Sequence, residues 1–234
     1  MNWFNNRTIR TKIVTGFLLV AFVAAAIGAV GIYGITTIAR LDTDMYVKMT
    51  DPLGDMVHLT KTFQQIRNLS KDIVLTKTTS DIDPIEAEIT AKWNDFDYAL
   101  AEIEKSLITE EGHQLVDEIR RFKSDYAANV VEMAGLVRAY NSFGALNVMR
   151  GSNNEVRLEL ESRIDSLAQM KTDLAAQAAS SNAATAAASR LAMIIILAVG
   201  VVLSLAIGFL IANSISKPLR RGLLMIQELS KGRL

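Results

Sequence analysis

Two long stretches without a single charge constrain this chain more than anything else in it: residues 13–39 and residues 191–216. A helix needs roughly 20 apolar residues to cross the hydrocarbon of a bilayer, and each stretch is longer than that. The pair predicts two membrane spans and excludes an ordinary soluble enzyme. The charged residues sort around the spans. Residues 1–12 hold Arg7, Arg10 and Lys12 and no acid, and residues 217–234 hold five basic residues against Glu228 alone. Residues 40–190 carry 17 basic and 24 acidic side chains, so the net charge of zero hides three unlike segments. Basic flanks are retained in the cytoplasm, which places both termini there and the middle outside. The expected organisation is a cytoplasmic N-terminus (1–12), a first span (13–38), an exported domain (39–190), a second span (191–213) and a cytoplasmic segment (214–234). Ala24-Ala25-Ala26 offers a small-residue cleavage site, but a signal-peptide core is only about 7–15 residues long and this apolar run continues to Ile38. The absence of cysteine fits an exported domain that needs no disulfide.

The exported domain reads as four helices, in segments near 41–79, 84–107, 110–143 and 153–189. Asp83-Pro84-Ile85-Glu86 has the form of a helix start, with an acid at the N-cap and proline first in the helix. Ser152-Asn153-Asn154-Glu155 has the form of a capping box after Gly151, and Thr109-Glu110-Glu111 is a weaker start. Each segment carries apolar residues at alternating steps of three and four. They are Met49, Met56, Leu59, Phe63, Ile66 and Ile73 in the first and Ile89, Trp93, Phe96, Leu100, Ile103 and Leu107 in the second. The third has Leu115, Ile119, Phe122, Tyr126, Met133, Leu136, Tyr140 and Phe143; the fourth has Leu160, Ile164, Leu167 and Leu174. That period demands helical partners and no sheet. The expected fold class is therefore all-α, an up-down-up-down antiparallel four-helix bundle flanked by two transmembrane helices. An even number of long helices returns the chain to the side where it left. Pro52 predicts a kink or interruption in the first segment, and Ala175–Ala188 is rich in alanine before the second span.

Catalytic patterns are thin. His58 and His113 are the two histidines, and His113-Gln114-Leu115-Val116-Asp117 lacks the glutamate and second histidine of a zinc-protease motif. No glycine-rich phosphate loop or nucleophile signature occurs. The pairs Asp42/Asp44, Asp81/Asp83 and Asp95/Asp97 are spaced by two, which on a helix points them to different faces. No enzyme activity, cofactor or metal is expected. Met45, Met49, Met56 and Met133 read as core, and Arg120-Arg121-Phe122-Lys123 reads as a solvated basic face. For ligand capture the informative cations are Arg67 and Lys71, one turn apart beside Ile66. They can hold a small carboxylate at a helix–helix or dimer seam, or simply pair with Asp72 or an acid of a neighbouring helix. In the spans, Gly200, Ser204, Gly208 and Ala212 form a strip of small residues at four-residue spacing, and Gly28, Gly31 and Gly34 recur every three. Both are candidate packing faces. The acidic outer domain excludes nucleic acid as a partner, and the basic cytoplasmic flanks suit anionic lipid head groups.

The segment Ser214-Ile215-Ser216-Lys217-Pro218-Leu219-Arg220-Arg221, followed by Ile226, Leu229 and Gly232-Arg233-Leu234, resembles the first helix of a HAMP linker. Ile215, Leu219, Gly222, Ile226 and Leu229 match its heptad seam, Glu228 its late acid, and Pro218 the junction between membrane helix and linker helix. Where the family prefers Asp or Asn, this chain has Arg233. The whole arrangement resembles the N-terminal part of a bacterial methyl-accepting chemotaxis receptor. Met45-Tyr46, Pro52-Leu53, Met56, Arg67 and Asp72 are similar to the first helix of its sensor domain. The resemblance implies a homodimer in the inner membrane that senses a small molecule or a periplasmic binding protein and signals through Pro218, Ile215, Leu219 and Glu228. Kinase coupling would need methylation helices and a kinase-contacting hairpin, which are not among these residues. Histidine kinases and diguanylate cyclases share such a front end and are the second reading; a membrane-tethered bundle that binds a protein partner is the third.

Overall fold

The computed structural model of the chain describes residues 8–230, without the side chains of Ile9, Arg221 and residues 228–230. Those residues form helices and no strand. The α-helices are α1 (Ile9–Met45), α2 (Pro52–Leu75), α3 (Ile82–Lys105), α4 (Glu110–Arg138), α5 (Ser142–Arg150) and α6 (Ser152–Ser230), with a π-helical turn at Tyr46–Thr50. Two compact units result, one of residues 41–181 and one of residues 1–40 with 182–234.

The first unit is a four-helix bundle made by α2, α3, α4 and the first part of α6. Its core is the predicted apolar stripe: Met56, Leu59, Phe63, Ile66 and Ile73 of α2 meet Ile89, Phe96, Leu100 and Ile103 of α3, Ile119, Tyr126 and Met133 of α4, and Leu160, Ile164 and Leu167 of α6. At its centre Phe63 lies 5.3 Å from Tyr126, 6.2 Å from Trp93 and 6.3 Å from Phe96, centroid to centroid. The rings meet tilted or edge to face, the arrangement their quadrupoles favour. Met49, Met56 and Met133 are buried, as core methionines should be. The basic run at 120–123 is tied to α3, Arg120 to Glu104 and Lys123 to Asp97. The Arg120 hydrogen bond holds the Glu104 carboxyl below its ordinary range.

Several predicted boundaries shift. Helix α3 begins at Ile82, ahead of the expected Asp83 cap, and Asp83 and Glu86 instead bind Arg138 of α4. The Thr109 start, weak in sequence, is a true N-cap whose hydroxyl accepts from the Gly112 N–H at 3.2 Å. The third segment does not run unbroken to residue 143. Helix α4 ends at Arg138, Tyr140 takes a left-handed conformation with φ of 58°, and Asn141 caps the short helix α5 through Gly144 N–H. Tyr140 and Phe143, expected in the stripe, are therefore 86% and 74% exposed. Ser152 joins α6 rather than capping it, and the Glu155 N–H closes on the Gly151 carbonyl.

The predicted interruption before Pro52 is the π-helical turn. Leu41, Met45 and Met49 recur at two successive steps of four, more than the 3.6 residues of an α-turn, and the wider turn absorbs the excess. The Asp51 N–H bonds the Tyr46 carbonyl at 2.9 Å.

In the second unit α1 and the later part of α6 are long and apolar enough to cross a membrane. Large apolar side chains such as Phe17, Phe22, Leu205 and Phe209 are at least 70% or close to it exposed, a surface that water would penalise and lipid would not. The glycines divide. A Cβ at Gly16, Gly34 or Gly200 would run into Ile211, Met193 or Val23, so these positions let α1 and α6 approach closely. Gly28, Gly31 and Gly208 would meet nothing within 4 Å. Ser204 and Gly208 instead line an apolar cavity of about 290 Å³ with Phe17 and Ile211.

Candidate functional site: a cationic cleft in the helical bundle

A cleft of about 410 Å³ opens in the bundle, within the size range of small-molecule sites. Helix α2 supplies Arg67, Ser70 and Lys71, and α4 supplies Tyr126. Met149 and Arg150 come from the end of α5, and Asn153, Asn154 and Arg157 from the first turns of α6. The local folding explains the gathering. The Gly151 break between α5 and α6 places two helix ends beside α2, and an N-terminal turn favours anions through its dipole. Both sequence-predicted cations, Arg67 and Lys71, belong to this cleft. Arg150, Arg157, Asn153 and Asn154 are additions that the structure makes.

One carboxylate ties together two of the cleft's cations. Glu161, one turn beyond Arg157 on α6, accepts from the guanidinium groups of both Arg67 and Arg157. All three side chains are between 21% and 29% exposed, so the pairing is sheltered from full solvent screening. Arg157 is held further by Asn154, whose Oδ1 accepts from Nε at 3.1 Å and Nη2 at 2.8 Å. The pairing of Arg67 to an acid of a neighbouring helix was one of the two readings its sequence allowed. Lys71 and Arg150 reach the cleft without a carboxylate partner among the described residues. Two polar atoms of cleft residues are buried with no hydrogen-bond partner, Arg67 Nε and Asn153 Oδ1. Asn153 is only 4% exposed.

A second polar feature lies elsewhere in the bundle. Lys171 of α6 is 1% exposed and has no carboxylate beside it. Its ammonium donates to the Lys48 carbonyl at 3.0 Å, the Ser106 carbonyl at 2.8 Å and Ser106 Oγ at 2.6 Å. The reason is in the backbone. Pro52 has no N–H to give to the carbonyl of Lys48 four residues earlier, and Ser106 caps the C-terminus of α3, where carbonyls lack helical partners. Lys171 supplies the missing donors. Burial pushes its pKa down to about 8.

In α6, Ser214 Oγ donates to the Ile211 carbonyl at 3.0 Å, and the helix continues through Pro218. Ile215 is half-buried, Leu219 is 55% exposed and Ile226 is 69% exposed. Glu228 lies within α6 with its side chain outside the described atoms, and Gly232, Arg233 and Leu234 lie outside the described residues. No group of three or more His, Cys, Asp or Glu that could hold a metal ion assembles among the described residues.

The described residues thus form a bundle of long helices with a charged cleft, carried with two long apolar helices. Residues 6–186 match the family model of the four helix bundle sensory module for signal transduction, and the chain belongs to that family. No curated protein gives a match to the chain.

Proposed function

We propose that this chain is the membrane-spanning sensor of a chemoreceptor, with residues 39–190 outside the inner membrane and both termini in the cytoplasm. A stimulus received by the bundle is passed along the second span to a HAMP linker that starts near Ile215. The observation that carries the reading is the continuity of α6. One unbroken helix contributes Asn153, Asn154 and Arg157 to the cleft and runs on to Pro218 and Leu219. Backbone hydrogen bonds make such a helix stiff along its axis, so a small shift of one end is delivered to the other. The exposed apolar residues Leu219, Leu223 and Ile226 support a helical partner in this segment, as a HAMP seam in a homodimer requires. The basic flank at Lys217, Arg220 and Arg221 suits anionic lipid head groups. The stimulus is a small molecule or a periplasmic binding protein, and the protein itself catalyses nothing and carries no cofactor.

Grafting residues 1–234 onto the cytoplasmic part of a characterised chemoreceptor tests this directly. The chimera is expected to give stimulus-dependent kinase control, and insertion of two glycines after Ala212 is expected to abolish it while leaving membrane insertion intact. A chimera that inserts, dimerises and holds the kinase in one state under every stimulus would overturn the transducer reading. Responses that survive the glycine insertion would exclude transmission along α6.

A further inference from the structure

We propose that the apolar cavity between α1 and α6 holds one acyl chain of an anionic phospholipid, whose head group rests on the basic residues at the same end of the two helices. The proposal rests on the membrane-spanning reading and adds a defined lipid site to it, at the place where α6 passes from the second span towards Pro218.

The two helices pair antiparallel. A Cβ at Gly16 would meet Ile211, one at Gly200 would meet Val23 and Ile27, and one at Gly34 would meet Met193. Contact is close at each of these points, and the cavity of about 290 Å³ opens beside the first of them. It is there because Gly208 carries no side chain and nothing else takes the space: a Cβ at Gly208 would meet no atom within 4 Å. Phe17 and Val20 of α1 and Ser204 and Ile211 of α6 are among the residues of its wall. A void in such a place forfeits the dispersion contacts of every group that lines it. In a bilayer the molecules at hand to fill it are acyl chains.

Volume decides between a chain and a helix. At about 30 Å³ for a group the size of a water, the cavity takes roughly ten such groups. Its lining runs from Ile13 to Val20 and from Ser204 to Ile211, which is about 10 Å of rise on each helix. A helix of about 10 Å diameter along that length fills roughly 800 Å³. A span of a second copy is therefore too wide for the cavity, and a row of methylenes is not.

Charge selects the head group, because the cavity lies at the basic end of both helices. Residues 1–12 and 213–227 carry three basic side chains each and no acid. Lys12 stands one turn before Gly16 on the same face of α1 and is 5% exposed. Lys217 and Arg220 follow Ile211 on α6 and are exposed. Along the helix axes these cations stand about 6 Å and about 9–14 Å beyond the cavity. The head-group layer is about 5–8 Å thick on each side of the hydrocarbon, so they fall within it or at its outer edge. A lipid gains no hydrophobic energy by moving from the bilayer into the cavity, so packing and the attraction of its phosphate to Lys and Arg select it. A zwitterionic head group brings its own cation to that place, and an anionic one does not.

The test extracts the full chain from bilayers of equal parts phosphatidylglycerol and phosphatidylcholine and counts the retained lipids by native mass spectrometry. Phosphatidylglycerol is expected to stay bound in preference by at least about fivefold, the factor that one cation near the surface supplies. Gly208→Leu fills the cavity from within and is expected to remove the retained lipid. Gly208→Ala, the milder change, is expected to weaken retention severalfold. Gly28→Leu is expected to change nothing, since a Cβ there also meets no atom but the residue lies outside the cavity. Lys217→Gln combined with Arg220→Gln is expected to keep a lipid and lose the preference. Retention that ignores both Gly208 variants, or falls equally with Gly28→Leu, would overturn the site. Equal retention of the two lipids by the unaltered chain would overturn the head-group class. A lipid-free dimer as the sole species would show that a second copy covers the cavity, and would overturn the occupant. Carbonate extraction of the membranes keeps this failure apart from that of the reading beneath it. A chain that resists carbonate yet retains no lipid fails here alone, and a chain that carbonate washes off does not span the bilayer.

Discussion

Replacing Phe63 by alanine is expected to destabilise the bundle by about 3–5 kcal/mol, the usual cost of emptying a buried aromatic site. Phe63 is 2% exposed and touches the rings of Trp93, Phe96 and Tyr126, so no neighbouring loop can collapse into the space. Three ring contacts are lost with it, each worth about 0.5–1.5 kcal/mol beyond area. In a bundle of this size, the melting temperature should fall by roughly 6–20 °C, at roughly 2–4 °C per kcal/mol in larger domains. Calorimetry of the full chain in detergent reads the change, and Phe63→Leu should recover more than half of it. A fall of a few degrees would mean that the four rings do not form one packed unit.

Lys171→Met is expected to destabilise the bundle by about 2–4 kcal/mol, since it leaves the buried carbonyls of Lys48 and Ser106 without donors. Its pH dependence is the sharper measurement. The native lysine gives up its proton near pH 8, well before the ordinary value of 10.5, so between those values the unfolded chain holds more protons than the folded one. Unfolding free energy therefore rises with pH across that window, and below it the contribution is flat and at its lowest. The stability gap between the unaltered chain and Lys171→Met should widen from pH 7 to pH 9. A constant or shrinking gap would show that the amine is charged throughout, with its environment more polar than its burial implies.

Much of this fold was legible in the period of its apolar residues. The α2 and α3 stripes fell in the core because nothing interrupts either helix, and α-helical phase is cumulative. The α4 stripe failed only at its end, where Tyr140 turns left-handed and moves Phe143 to the surface. Caps were read less well. Asp83-Pro84 looked like a start, but Ile82 is fully buried and begins the helix two residues before Pro84, with Asp83 free to meet Arg138. Lys171 was missed because a lysine reads as surface, although the steps Leu160, Ile164, Leu167, Lys171 and Leu174 place it in the core seam. Pro52 signalled the carbonyl it serves. Asn153, seven residues before Leu160, occupies the same seam and was hidden by its resemblance to a cap residue. Arg67 and Lys71 were visible as cations beside an apolar stripe. Their partners were not, because Arg150 and Arg157 reach them only through the chain reversal at Gly151.

The ammonium of Lys171 has a use for anyone who wishes to time the bundle. All three of its protons are engaged and its side chain is enclosed, so an amine-reactive reagent cannot attack it while α6 stays packed. Lys61 and Lys77 lie on the surface and react in the folded state. Acylation of Lys171 therefore proceeds only through opening of this part of the bundle, at a rate set by how often that happens. The chain carries its own clock for the separation of α6 from its neighbours, readable peptide by peptide and without an added label.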